Sequence, residues 1–134
     1  MTLGTGSETK GRLGEDLDPE IRAFVKAMGE AWAGHPGFET ATPAEARRIA
    51  EAVRAPRTRG GPAMAAITEH HVPAGTGPVR VRRYDPGGEN PKPGLVYLHG
   101  GGWTIFSLDT HDRLMRELAA RAGVTVVGVD YAMS

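Results

Sequence analysis

The chain of 134 residues contains no cysteine. That excludes disulfides, thiolate metal sites and a cysteine nucleophile, and it permits a reducing compartment. There is no excess of either charge, because sixteen Lys and Arg balance sixteen Asp and Glu. The balance removes any bulk electrostatic attraction to nucleic acid or to an anionic membrane, and a small uncharged ligand is the expected partner. Long apolar runs are missing as well. Residues 1–16 alternate glycine with polar groups and hold no apolar stretch of the roughly 7–15 residues that a secretory signal needs. No segment approaches the roughly 20 apolar residues that span a bilayer. The expectation is a cytoplasmic chain with no membrane span, whose residues 1–16 form a flexible tail with nothing to bury.

What is present is glycine, nineteen of them, placed as punctuation between periodic segments. Asp18 and Pro19 suit a helix start, and Leu17, Ile21, Phe24, Val25, Met28 and Trp32 then fall on one helical face until Gly34 and Pro36. Thr42 and Glu45 are spaced for a reciprocal capping box ahead of an Ala46, Ile49, Ala50, Val53 stripe, with Pro56 as the expected end of that helix. Residues 57–64 read as a linker, so the division falls into a tail at 1–16, a helical region and linker at 17–64, and a sheet-bearing region at 65–134. Ile67–Val72 and Val79–Tyr84 predict an antiparallel hairpin, and the Val79-Arg80-Val81-Arg82 alternation predicts one solvated face. Leu95–His99 predicts a buried strand. A helix bearing Leu114, Met115, Leu118, Ala119 and Ala122 on one side follows, ended by Gly123. The last strand, residues 124–130, is nearly all β-branched, as for a strand covered on both faces, and strand, helix and strand make one parallel crossover.

The chemistry concentrates between that buried strand and its helix, in His99-Gly100-Gly101-Gly102-Trp103. Three glycines let backbone N–H groups approach a ligand closely, and fixed donors of that kind stabilise the negative oxygen formed when an ester carbonyl is attacked, each by about 3–4 kcal/mol. His99–Trp103, His111-Asp112 and Val127-Gly128-Val129-Asp130-Tyr131 together resemble, over roughly residues 17–131, the amino-terminal half of the hormone-sensitive-lipase-like esterases of the α/β-hydrolase fold. The resemblance implies an α/β architecture, an incomplete α/β-hydrolase fold with amino-terminal cap helices followed by the first four strands and the first crossover helix of a mostly parallel sheet. It implies serine-dependent hydrolysis of a short-chain carboxylic ester without a cofactor. Gly101 and Gly102 would supply oxyanion N–H groups, Gly100 and Trp103 would shape the loop, and His99 would hold it in place without acting as the catalytic base. Phe24, Met28, Trp32 and Phe106 would line an acyl pocket.

Two positions depart from that family's pattern, which commonly has glycine where Phe106 stands and arginine where Ala132 stands. A larger departure concerns the nucleophile, which the family carries in a Gly-x-Ser-x-Gly elbow after the fourth strand. None of Ser7, Ser107 and Ser134 has glycine two residues to either side. The chain is therefore expected to contain no catalytic triad, to be inactive alone and to need a missing carboxy-terminal half. A metal site is disfavoured: His70 and His71 are neighbours on a strand and point to opposite faces, and Asp109 and Asp112 beside His111 read more simply as helix caps. A dinucleotide-binding crossover is disfavoured because its third glycine would fall on Ile105. A non-catalytic small-molecule binder on the same fold remains the alternative.

Overall fold

The computed structural model describes residues 17–75 and 77–134, and the expected tail at 1–16 lies outside the described residues. The chain divides into two compact units, one ending at Gly34 and one spanning His35–Ser134.

In the first unit, α1 runs Pro19–Ala33. Asp18 caps it by accepting the Glu20 amide at 2.8 Å, and Pro19 occupies the first turn, where its missing N–H costs nothing. None of its residues is buried.

The second unit begins with α2, Pro43–Thr58, opened by the expected capping box between Thr42 and Glu45. This helix runs through Pro56, against the expectation that the proline would end it. Proline's fixed φ suits helix, only one backbone donor is lost so near the end, and the Thr58 hydroxyl takes the Ala55 carbonyl at 3.1 Å. Four strands follow: β1, Ala66–Val72; β2, Val79–Asp85; β3, Gly94–Leu98; and β4, Thr125–Asp130. A 3-10 turn at Asp109–His111 leads into α3, Asp112–Ala122. Gly123, at φ 64°, ends α3 in the left-handed conformation that terminates helices.

The sheet order is β1-β2-β4-β3. The hairpin β1–β2 and the β2–β4 pair are antiparallel, whereas β3 and β4 run parallel, with α3 as the crossover. Register puts Tyr84 opposite Val126 and Arg82 opposite Gly128, while Leu95 and Tyr97 pair with the same two β4 residues on the other side. These residues share the face on which α3 lies. Tyr84, Val126, Leu108, Met115 and Ala119 form its buried core. A Cβ at Gly128 would overlap Met115 Sδ and crowd Leu108, so the bare backbone of Gly128 is what lets the helix sit this close.

Three expectations about the faces change. β3 is not the buried strand expected of Leu95–His99, because only its α3 face is covered and Val96 and Leu98 on the other face are mostly exposed. The arginines of β2 do not mark a solvated face: Arg82 shares the α3-covered face with Tyr84, and its side chain is nearly covered because carboxylates meet it there. Its guanidinium donates to Glu69 Oε1, Asp109 Oδ1 at 2.7 Å and Asp112 Oδ1 at 3.2 Å. β4 is covered on one face by the helices of its unit, since Val127 and Val129 point away from α3 and are only half-buried.

Candidate active-site loop

β3 ends where the chain enters the glycine loop, and the parallel pairing with β4 fixes where that happens. Leu98 is paired with Val129, so His99 emerges beside the end of β4, near Tyr131. The Tyr131 hydroxyl donates to the His99 carbonyl at 2.5 Å, and the two rings stack with centroids 4.4 Å apart. His99 itself is 3% exposed. Its Nδ1 lies 2.8 Å from the Gly100 carbonyl oxygen, which only accepts, so Nδ1 carries the proton and donates. Nε2 is then an acceptor, buried, with no partner among the described residues.

The three glycines are glycine for different reasons. Gly101 has φ +129°, and a Cβ there would overlap the Ile105 carbonyl. It is required by the loop's own turn, in which the Gly101 carbonyl accepts from the Thr104 and Ile105 amides at 3.0 and 3.1 Å. Gly102 stands at φ +58°, left-handed but otherwise unobstructed. Gly100 has neither a left-handed φ nor any atom within 4 Å of the place a Cβ would take. Its missing side chain serves no packing or turn, and leaves space. Among the described residues no acceptor takes the N–H of Gly101 or of Gly102. These glycines, with Leu98, His99, Trp103, Tyr131 and Ala132, bound a cleft of about 590 Å³. No carboxylate, lysine or arginine is among these lining residues, which suits a neutral ligand.

The far limb of the loop is held from α2. Arg47 Nε donates to the Thr104 carbonyl at 2.8 Å, and its Nη2 donates to the Ser134 carbonyl. The Ser134 amide donates to the Trp103 carbonyl at 2.9 Å. Trp103 (φ +56°) and Phe106 (φ +75°) are both left-handed residues with large side chains, a conformation that costs an L-residue about 1–2 kcal/mol. At Phe106, one of the positions that departs from the resembled family, a glycine would adopt this backbone without strain. The Phe106 ring packs edge-on to His111, 5.6 Å between centroids, beneath the Arg54 guanidinium at 5.1 Å, and takes no part in the cleft wall.

Asp109 and Asp112 do not cap α3. The residue at the N-cap position is His111, without a side-chain cap, and the two carboxylates turn to Arg82 instead. Asp112 also accepts from the Tyr84 hydroxyl at 2.7 Å and from Arg116 Nε at 2.6 Å. Burial, the largest single effect, pushes its pKa up, but these bonds and the Arg82 charge together hold it below the usual carboxylate range. The Tyr84 phenol is pushed well above its ordinary value by burial and then by its bond to Asp112.

The structure thus brings together His99, Gly100, Gly101, Gly102 and Trp103 around one cleft. Phe24, Met28 and Trp32 lie on α1, in the other unit. The residues that the sequence did not single out are Arg47 and Arg54. Their signal was spacing, since seven residues put both guanidiniums on one face of α2. Among the described residues no helix is long and apolar enough to cross a membrane.

Residues 95–134 match the profile of the α/β-hydrolase fold family. Among solved structures the chain is similar to EstE1, a thermophilic, thermostable carboxylesterase cloned from a metagenomic library, at 34% identity over 69% of this chain and 32% of that one, with a TM-score of 0.64. It is similar to the ester hydrolase EH1AB1 from the metagenome of Lake Arreo at 32% identity over 87% of this chain and 38% of that one, with a TM-score of 0.72. It is similar also to a hyperthermophilic esterase of the archaeon Pyrobaculum calidifontis at 28% identity over 87% and 37% of the two chains, with a TM-score of 0.73. The chain spans between 32% and 38% of the length of these three relatives.

Proposed function

The chain belongs to the α/β-hydrolase fold family, with a carboxylesterase and an esterase among the solved structures it is similar to, and from that premise we propose that it is the amino-terminal portion of a hormone-sensitive-lipase-like, serine-dependent hydrolase of short-chain carboxylic esters. It supplies the oxyanion loop and relies on residues outside its 134 for the nucleophile, acid and base. The observation that carries this reading is the cleft at the end of β3, where Gly101 and Gly102 have N–H groups that no acceptor takes among the described residues and Gly100 leaves open space with no structural need to do so. A carbonyl oxygen placed there would meet fixed donors as its negative charge develops, without reorganisation of the site. His99 holds the loop through the Gly100 carbonyl and, with its proton on Nδ1 and its other nitrogen buried, is not placed to act as a base. No cofactor takes part.

The test has two arms. The purified chain, given a short acyl nitrophenyl ester, is expected to show no turnover above the buffer blank. Turnover that disappears in a Gly101→Val variant would mean a nucleophile within these residues and would overturn the proposal. Reading the coding frame past the Ser134 codon is expected to reveal a Gly-x-Ser-x-Gly elbow within the next strand and turn. A continuing frame with no such elbow would favour a non-catalytic binder using the same cleft.

A further inference from the structure

Behind the glycine loop lies a stack of rings that the proposed chemistry does not use. His111, at the junction of the 3-10 turn and α3, is buried and lies parallel to His99, with 5.7 Å between centroids and 26° between planes. Tyr97 and Phe106 flank it at 5.9 and 5.6 Å. Its protonation state follows from its neighbours. Nδ1 faces the Ser107 carbonyl at 3.3 Å and the Thr110 hydroxyl at 3.0 Å. That hydroxyl already donates to the Ser107 carbonyl at 2.8 Å, so it has only lone pairs to offer His111. Nδ1 must therefore donate. On the other side of the ring, Arg54 Nη2 stands 3.5 Å from Nε2, and a guanidinium has donors only. Nε2 must therefore accept. Both constraints select one neutral tautomer, and the charged imidazolium would point an N–H at a cation.

We propose that Arg54 is a positioning residue for the glycine loop, acting through His111. Its guanidinium meets the Nε2 lone pair and covers the Phe106 ring, and the ring of His111 so fixed backs His99, whose Nδ1–H holds the Gly100 carbonyl. The path from α2 to the loop is continuous: Arg54, His111, His99, Gly100. The inference rests on reading the loop as an oxyanion site, but its geometry does not need catalysis to be observed. Among the described residues the charged and titratable groups facing His111 are Arg54 from α2, Tyr97 from β3 and His99 from the loop, and none of them is a carboxylate. Burial, together with the Arg54 charge, holds its imidazole below the ordinary value despite the Ser107 bond. Protonation in acid would set His111 against Arg54 and remove the backing of His99, so the loop carries an acid-sensitive prop.

The test is nuclear magnetic resonance on the 134-residue chain with nitrogen-15 in histidine and glycine. At pH 8 His111 is expected with its proton on Nδ1, and the Gly101 and Gly102 amide shifts are expected to follow the His111 titration as the pH is lowered. Arg54→Met is expected to raise the His111 midpoint by about one pH unit, a tenfold gain in proton affinity, and to displace both glycine amides. Arg54→Lys is expected to return the midpoint toward that of the parent by restoring the charge, but not the amide shifts, since an ammonium on a flexible stem does not reproduce the planar contact with Phe106. A proton found on Nε2 of His111 in the parent chain would overturn the inference without need of any variant. So would glycine amides and a His111 midpoint indifferent to Arg54→Met. None of these readouts uses turnover, so a failed ester assay and a failed relay are distinguishable results.

Discussion

The two faces of the sheet share strands and composition yet differ in what they meet. On the α3 side, alternate residues of β2, β4 and β3 find a helix at close range, made possible by Gly128, and Tyr84, Val126 and Met115 are fully buried. On the other side, Val96 is 69% and Leu98 63% exposed, and β3 is the last strand of the sheet. The strands are valine-rich on both parities, which is the pattern of a parallel sheet with helices on both faces. The difference teaches that burial in this chain is set by the element encoded after each strand. The crossover helix covers one face because it lies between β3 and β4 in sequence, and among the described residues of 35–134 no other helix reaches the opposite face.

That contrast predicts opposite costs for the same chemical change. Met115→Ala removes a fully buried side chain from between Leu108, Gly128 and Val126, and is expected to destabilise the chain by about 3 kcal/mol, the ordinary cost of a large-to-small core change. Val96→Ala removes a mostly exposed one and is expected to cost less than about 0.5 kcal/mol. Urea unfolding of both variants measures this. Similar midpoints would mean that the α3 face is not the core of the fold.

A smaller effect separates charge from packing on the covered face. Arg82 is shared by Glu69, Asp109 and Asp112, and Arg82→Met would leave the partly buried Asp112 with fewer partners, for an expected loss of about 2–3 kcal/mol at neutral pH. The loss depends on pH with a definite sign. Asp112 has a folded-state pKa below that of the unfolded chain, so its stabilisation is fully present above the ordinary carboxylate value near 3.9 and is lost as the pH falls through its folded value. In Arg82→Met the folded value moves up toward the unfolded one. The parent and the variant are therefore expected to converge in stability as the pH is lowered from 6 to 3 in denaturant titrations. A gap that stays constant over that range would assign the Arg82 contribution to its aliphatic stem.

How much of this was legible from the sequence depended on how local the cause was. The capping box at Thr42 and Glu45, the Gly123 stop and the β1–β2 hairpin need only neighbouring residues, and all appear where the pattern puts them. The glycine loop was legible because three consecutive glycines after an apolar strand have few structural uses. Partners distant in sequence were not legible. Arg82 and Asp112 are thirty residues apart, so alternation along β2 suggested a wet face for arginines that in fact meet carboxylates brought by α3. Likewise Asp109 and Asp112 sit where helix caps belong, and only the tertiary position of Arg82 turns them aside. Arg54 and His111 are fifty-seven residues apart, and neither carries a local pattern that names the other.

The smallest expected change in stability tests the bare side of the comparison most directly. β3 carries no charge in Gly94–Leu98, has one edge that pairs with no strand among the described residues and shows Val96 and Leu98 on the face that α3 does not cover. An uncharged apolar edge is a template on which another strand can pair, and a lysine on such an edge blocks that pairing because a second chain would have to bury its charge. Val96→Lys is therefore expected to leave the urea midpoint of the folded chain within about 0.5 kcal/mol of the parent, since the side chain it replaces is already in water. Sedimentation velocity is expected to show the parent associating as its concentration is raised and the variant remaining a monomer. Arg83→Lys, on the same face but in a strand paired on both sides, is the control and is expected to leave association unchanged. If the parent sediments as a monomer at every concentration tested, the open edge of β3 is protected by something other than charge, and the contrast between the two faces would reflect packing alone.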